Sequence, residues 1–154
     1  MLVTDSLQLE LIEPKHAQPI FDLAAANREH LRQWLPWVDR METVDFIENY
    51  IRGAQQRQAE GGELPYVILE NSVVVGRIGI HKIDNQNKIG EIGYWIGQEF
   101  SGRGLMTQAC KAVLEVGFRE LGLNRIEIKC GTENRKSQVI PERLGFVQEG
   151  ILRQ

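Results

Sequence analysis

Two periods of hydrophobic residues follow one another along the first part of the chain. Leucines alternate with polar residues over positions 7–11, which is the pattern of a half-buried strand. Apolar residues then recur at helical spacing over 14–34, and a second helix is predicted to start at Thr43 as its N-cap and to end at Gly61. The N-terminal part is therefore predicted to be one strand followed by two helices.

Three strands and two turns are predicted next. Apolar runs at 65–69, 73–81 and 89–96 have the strand pattern. Asn71-Ser72 and the polar stretch 84–87 separate them, as turn residues do in antiparallel hairpins. This region is predicted to be an antiparallel meander.

The C-terminal part returns to alternating helix and strand. Its pattern predicts a long helix over 105–121, a strand over 125–130 and a short helix over 137–144. A last strand is predicted to begin at Phe146-Val147. The chain as a whole is predicted to be a single mixed α+β domain spanning residues 1–154.

Composition and charge narrow the possible functions. The chain has 154 residues, with 18 basic and 21 acidic side chains and a net charge of −3, which argues against direct nucleic-acid binding. No stretch approaches the roughly 18 apolar residues of a membrane span. Cys110 and Cys130 are too few for a disulfide framework, and the histidines His16, His30 and His81 have no ligand spacing, so no metal is expected. The sequence predicts a soluble, cytoplasmic domain.

The loop before the predicted helix at 105 carries the clearest chemical signal. Gly102 and Gly104 allow a sharp turn where this helix begins, and the unpaired N–H groups of a helix start form an anion site. Arg103 adds a positive charge. The loop lacks the Gly-Lys-Ser/Thr of a P-loop and the third glycine of a dinucleotide fingerprint. It is either another kind of phosphate site or an ordinary glycine turn.

Several segments in a fixed order resemble one known family. The run 91–109, together with 134–137 and 142–146, is similar to the GNAT superfamily of N-acetyltransferases. The segments 9–14 and 27–37 also fit its branch of bacterial ribosomal-protein N-terminal acetyltransferases. The resemblance covers nearly the whole chain.

The resemblance implies a mostly antiparallel sheet that splays open after its fourth strand, with helices on both faces. Acetyl-CoA would lie in the gap, its pantetheine arm beside the strand and its pyrophosphate on the amides of 101–106. The residues assigned to this co-substrate are Trp95, Ile96, Ser101, Gly102, Arg103, Gly104, Leu105, Met106, Thr107 and Asn134. Relatives prefer Gln or Arg where this chain has Ser101, and Gly or Ala where it has Met106. Many carry a tyrosine general acid where this chain has Pro141.

Acetyl transfer requires a neutral amine and a proton for the departing thiolate. Glu91 is the best candidate base, or else a solvated strand carboxylate. Ser137 is the candidate proton donor to the CoA sulfur, or else the cap of the short helix. The resemblance also places His30, Trp34 and Trp37 along the acceptor cleft, where the alternative is packing between helices.

The leading hypothesis is an N-acetyltransferase that acts on the N-terminal amine of a protein, with ribosomal proteins as the expected class. A small amine such as a polyamine, an amino acid or an antibiotic is the alternative acceptor. A third hypothesis is a module that binds CoA or a partner without turnover. Relatives continue for about two strands beyond Phe146, so the sheet is expected to be incomplete, and its exposed edge predicts homo-oligomers.

Overall fold

The computed structural model describes residues 1–152 and contains one five-stranded sheet in the order β1-β2-β3-β4-β5. The strands are β1 Leu7–Leu11, β2 Leu64–Glu70, β3 Val73–Asp84, β4 Ile89–Ile96 and β5 Arg125–Ile128. Strands β1 to β4 are antiparallel neighbours, whereas β5 runs parallel to β4. The predicted meander is confirmed.

Five α-helices connect and cover these strands. They are α1 Ala17–Ala26, α2 Arg28–Leu31, α3 Val44–Ala59, α4 Leu105–Glu115 and α5 Arg135–Arg143. The first predicted helix is interrupted at Asn27, where the backbone leaves helical geometry. The predicted helix 105–121 continues past α4 as a π-helical turn over Val116–Glu120.

The alternation of side chains along the strands divides the core between the two faces of the sheet. On one face, Ile78, Ile80 and Ile92 pack with Ala109 and Val113 of α4. On the other face, residues of β2 and of helices α1 and α3 form a second core; they include Val67, Leu69, Ile20, Ala24, Ile47 and Ile51. Helices on both faces, as expected, therefore bury the sheet.

The sheet opens between β4 and β5. These strands pair only from Ile89↔Arg125 to Ile92↔Ile128. Strand β4 continues to Ile96 with β3 as its neighbour, because Gly76 pairs with Ile96. Residues 93–96 therefore face a gap on the β5 side, and the predicted splay after the fourth strand is confirmed.

The strand predicted at Phe146-Val147 is wrong, since residues 146–152 contain no strand. Phe146 instead helps to end α5: its N–H donates to the Pro141 carbonyl oxygen at 2.9 Å, and Gly145 N–H donates to Glu142 O at 3.2 Å. Gly145 has φ +83°, and together with the two hydrogen bonds this makes residues 141–146 a Schellman-type helix end. The strand edge on which the expected homo-oligomer depends is therefore not formed.

Candidate active site

A cleft of about 730 Å³ fills the gap between β4 and the segment after β5. Strand β4, the N-terminus of α4 and helix α5 form its walls. Most of the predicted site residues line it: His30, Trp34, Trp95, Ile96, Ser101, Gly102, Gly104, Leu105, Met106, Thr107, Asn134 and Ser137. Glu91, Arg103 and Trp37 lie outside this lining.

The N-terminus of α4 presents backbone donors to one end of the cleft. Gly104, with φ +78°, is the residue that precedes the helix, and Gly102 has φ +80°. Gln108 N–H donates to the Gly104 carbonyl oxygen at 3.1 Å, so the amides of residues 105–107 precede the first intrahelical bond. This first turn contains no acidic residue. The arrangement fits a phosphate group.

Arg103 points away from this anion site. Its guanidinium donates to Glu70 Oε1 at 2.7 Å and lies 5.8 Å from the centre of the Phe100 ring. The side chain ties the glycine loop to the end of β2. The positive potential at this end of the cleft therefore comes from the helix start rather than from Arg103.

Asn134, and not Ser137, caps helix α5. The Asn134 side-chain oxygen accepts a hydrogen bond from Ser137 N–H at 3.3 Å. The capping role that the sequence allows for Ser137 is thereby taken by its neighbour. Within residues 1–152, the Ser137 hydroxyl makes no hydrogen bond to another group, and the residue borders the cleft.

Tyr94 is a cleft residue that sequence reasoning missed. Its hydroxyl donates to the Ser137 carbonyl oxygen at 2.7 Å and lies 3.9 Å from Cys130 Sγ. Burial, and next the neighbouring Cys130, raise the pKa of Tyr94, so the hydroxyl stays a donor. The sequence does contain one signal for this contact, namely Pro141. It lies four residues after Ser137 and has no N–H to donate to the Ser137 carbonyl. The Ser137 carbonyl therefore lacks its helical donor, and Tyr94 replaces it.

The opposite face of β4 carries the predicted base. The Glu91 side chain is 13% exposed, with Oε2 lying 3.6 Å from Lys82 Nζ and 3.5 Å from Lys129 Nζ. Its other oxygen, Oε1, is 3.6 Å from His81 Nε2. The sequence assigns no role to His81, because it matches no metal-ligand spacing. His81 is the cross-strand partner of Glu91, a relation that only the register of the sheet reveals.

The aromatic residues predicted for the acceptor cleft separate into two environments. Trp34 borders the cleft, and its ring lies 3.3 Å from the point where a Cβ on Gly131 would stand. Trp37 packs in the core, with ring centres 6.2 Å from Phe46 and 6.1 Å from Trp95. His30 also borders the cleft, and burial followed by the charge of Lys136 lowers its pKa.

Basic side chains predominate around the cleft. Its lining includes Lys129, Arg135, Lys136 and Arg143, against a single acidic residue, Glu133. This local excess of positive charge in a chain of net charge −3 favours an anionic ligand. Among residues 1–152, no three His, Cys, Asp or Glu side chains come together as metal ligands would. Over the same range, no helix has the length and apolarity needed to cross a membrane.

The open sheet beside a helix N-terminus forms a cleft that suits an elongated ligand with a phosphate group at one end. The family described as acetyltransferase (GNAT) domain matches residues 6–147. The chain therefore belongs to the GNAT acetyltransferase family and is an enzyme of acetyl transfer.

Individual relatives match over almost the whole chain. YdaF of Bacillus subtilis (strain 168) is 34% identical over 152 residues, covering 98% of this chain and 83% of YdaF. The ribosomal-protein-serine acetyltransferase of Escherichia coli is 29% identical over 152 residues, covering 99% and 85%. A solved structure of RimL, a ribosomal alpha-N-protein acetyltransferase in complex with coenzyme A, superposes with a TM-score of 0.93 at 26% identity, covering 97% of this chain and 84% of RimL.

Proposed function

We propose that this enzyme transfers an acetyl group from acetyl-CoA to the N-terminal α-amine of a protein, with a ribosomal protein as the expected acceptor. The observation that carries the proposal is the cleft itself. It joins a helix start that suits a phosphate group at one end to the Ser137 hydroxyl of α5 at the other, and the Glu91 carboxylate lies outside the lining on the opposite face of β4. The ribosomal acetyltransferases among the relatives support the acceptor class.

The residues of the cleft fit acetyl-CoA. The amides of residues 105–107, which precede the first intrahelical bond, are suited to the pyrophosphate, since phosphate binding by backbone donors does not depend on side chains. The departures at Ser101 and Met106 therefore leave this end intact. Trp95 and Ile96, on the part of β4 that has lost its β5 neighbour, offer backbone groups to the pantetheine arm. The arm then leads the thioester toward Gly93, where the gap closes.

The reaction is a direct attack. The amine nitrogen bonds to the thioester carbonyl carbon, and the carbon–sulfur bond breaks. The hydroxyl of Ser137 donates a proton to the departing thiolate. The N-terminal half of α5, which contains Ser137, stabilises negative charge on the sulfur. The amine loses its proton toward the Glu91 side of β4, and a proton returns from there to Ser137 through solvent.

The energetics of the amine favour an N-terminus as acceptor. An α-amine has a pKa near 8, so holding it neutral at pH 7 costs about 1 unit, or ~1.4 kcal/mol. A lysine ε-amine with a pKa near 10.4 costs roughly 3.4 units, or ~4.6 kcal/mol. Holding an amine of an alkyl polyamine neutral carries the same kind of cost. A site with modest base strength therefore acetylates α-amines first.

Calorimetry and an acceptor screen test this function. Acetyl-CoA is expected to bind the full chain at micromolar strength or tighter, with CoA as the comparison ligand. A peptide with a free N-terminal serine is then expected to be acetylated faster than the same peptide with a blocked N-terminus and an internal lysine, and faster than spermidine. Faster turnover of spermidine would move the function to small amines. Binding of acetyl-CoA without turnover of any amine would favour a module that binds CoA.

A further inference from the structure

On the face of β4 opposite Ser137, the imidazole of His81 lies outside the cleft lining but packs against Gly93, which is part of it. A Cβ placed on Gly93 would lie 2.9 Å from His81 Cε1 and 3.4 Å from His81 Nδ1. The ring therefore occupies the space over Gly93 that any other residue would fill with its own side chain. Gly93 borders the cleft and is the first β4 residue beyond the pairing with β5.

The two oxygens of the Glu91 carboxylate face different kinds of neighbour. Its Oε2 faces the ammonium groups of Lys82 and Lys129 at 3.6 Å and 3.5 Å, and its Oε1 faces His81 Nε2 at 3.6 Å. An incoming amine would have to compete with two lysines for Oε2 of Glu91. The Glu91 side chain is also only 13% exposed. The His81 side chain is 35% exposed, so it is the more accessible of the two groups.

This geometry fixes which ring nitrogen is free. With Nε2 turned to the carboxylate, the neutral imidazole holds its hydrogen on Nε2, and Nδ1 keeps a lone pair on the side of Gly93. A carboxylate behind an imidazole is the arrangement that orients a base and stabilises it when it gains a proton. The 3.6 Å separation is longer than a hydrogen bond, as catalytic contacts often are before substrate binds.

Deepening the proposed function, on which this inference rests, we propose that His81 is the catalytic residue that takes the proton from the attacking amine, and that Glu91 is its positioning residue. As the bond from nitrogen to the thioester carbon forms, the amine proton passes to Nδ1. The carbon–sulfur bond breaks, and the thiolate takes the proton of Ser137. The proton on His81 then returns to Ser137 through solvent. One neutral amine and acetyl-CoA thus give one amide and one thiol.

The two proton transfers lie on opposite faces of β4. His81 and Glu91 are on the face of Gly93 and Trp95, whereas Tyr94 points to the α5 side, where its hydroxyl meets Ser137. A thioester in the gap at the level of residue 93 would lie between these two faces. Acceptor and leaving group are thereby kept apart.

The test measures kcat/KM from pH 6 to pH 10 for the wild type and for His81→Gln, with saturating acetyl-CoA and the N-terminal serine peptide or spermidine as acceptor. His81→Gln is expected to lower kcat/KM at pH 7 by about 100-fold or more, with unchanged acetyl-CoA affinity. The defect should shrink toward pH 10, because hydroxide can then take the proton of the attacking amine in place of the imidazole. Added imidazole should restore part of the rate of His81→Ala, and none of that of Ser137→Ala.

Glu91→Gln and His30→Gln provide the comparisons. Glu91→Gln should lose less activity than His81→Gln and displace the pH profile, as a positioning role requires. His30→Gln removes the imidazole that lines the cleft and should change the acceptor KM while keeping the wild-type profile. A loss in His81→Gln that is equal at every pH, or a full loss in Glu91→Gln with an active His81→Gln, would overturn the assignment. A wild type without turnover of either acceptor would overturn the proposed function and this role with it.

Discussion

The two ends of the cleft are built from different parts of the chain. At the α4 end, the groups proposed to face the ligand are main-chain amides beside two glycines with positive φ. At the closed end they are side chains on the two faces of β4 and on α5. The first end is expected to tolerate changes of side chain and to be sensitive to backbone geometry. The second end should show the reverse behaviour, and substitutions can test the contrast.

The largest effect is expected from Gly104→Val. Nothing in the protein lies within 4 Å of a Cβ at this position, so the substitution creates no internal clash. At φ +78°, however, a β-branched residue is strained by about 1–2 kcal/mol, and it places methyl groups where the pyrophosphate would lie. Acetyl-CoA binding measured by calorimetry should fall by about 100-fold or more.

Gly122→Val is the matched control for this strain. Gly122 also has positive φ, +66°, and open space around its Cβ position, but it lies outside the cleft lining. Both variants should lose similar stability in thermal unfolding, and only Gly104→Val should lose acetyl-CoA. Equal affinity of the two variants for acetyl-CoA would mean that the α4 end is not the phosphate site.

Ser137→Ala should act at the closed end alone. The change leaves the cap of α5 intact, because Asn134 accepts the bond from the backbone N–H of residue 137. We expect kcat to fall by about 10- to 100-fold, within reach of a lost proton donor, with acetyl-CoA affinity unchanged. Ser137→Thr keeps a hydroxyl and should retain most of the rate. An unaltered kcat in Ser137→Ala would remove this residue from proton transfer.

The same contrast explains how much of the fold and of the site the sequence can predict. The glycines, the helix start and the meander are local patterns, so these elements can be inferred from the sequence itself, whereas the opening of the sheet is expected only from the resemblance to the GNAT superfamily. The roles of His81 and Tyr94 cannot be inferred in this way. The role of His81 depends on the register of the sheet, and that of Tyr94 on a hydrogen-bond donor that α5 lacks. His81 meets Glu91 only once β3 and β4 pair, and Tyr94 matters because Pro141 leaves the Ser137 carbonyl without its helical bond.

Trp34 and Trp37 show a related limit. Both fit helical spacing and both fit an aromatic wall, so sequence could not separate them. Trp34→Ala is expected to raise the acceptor KM severalfold with little change in melting temperature, since Trp34 borders the cleft. Trp37→Ala should lower the free energy of unfolding by about 2–3 kcal/mol through loss of the contacts with Phe46 and Trp95. Steady-state kinetics and thermal melts distinguish the two, and an exchange of these effects would contradict the structure.

The smallest effect, and the finest test of the closed end, is expected from Tyr94→Phe. The variant loses the 2.7 Å bond to the Ser137 carbonyl, which should reduce stability by about 1–2 kcal/mol and kcat by a few-fold. Tyr50→Phe, at a partly exposed tyrosine outside the cleft lining, is the control and should change neither quantity.

The Tyr94 hydroxyl is expected to affect how the free energy of unfolding changes with pH. Burial raises the pKa of Tyr94 in the folded protein, whereas an unfolded tyrosine ionises near pH 10. Below about pH 10 the hydroxyl is protonated in both states and its contribution is complete. Above that pH the unfolded state ionises first, so stability falls as pH rises. Chemical denaturation at pH 8 and pH 11 should therefore show a smaller alkaline loss for Tyr94→Phe than for the wild type or Tyr50→Phe. Identical losses in all three proteins would show that the Tyr94 hydroxyl is not held in its buried bond to α5.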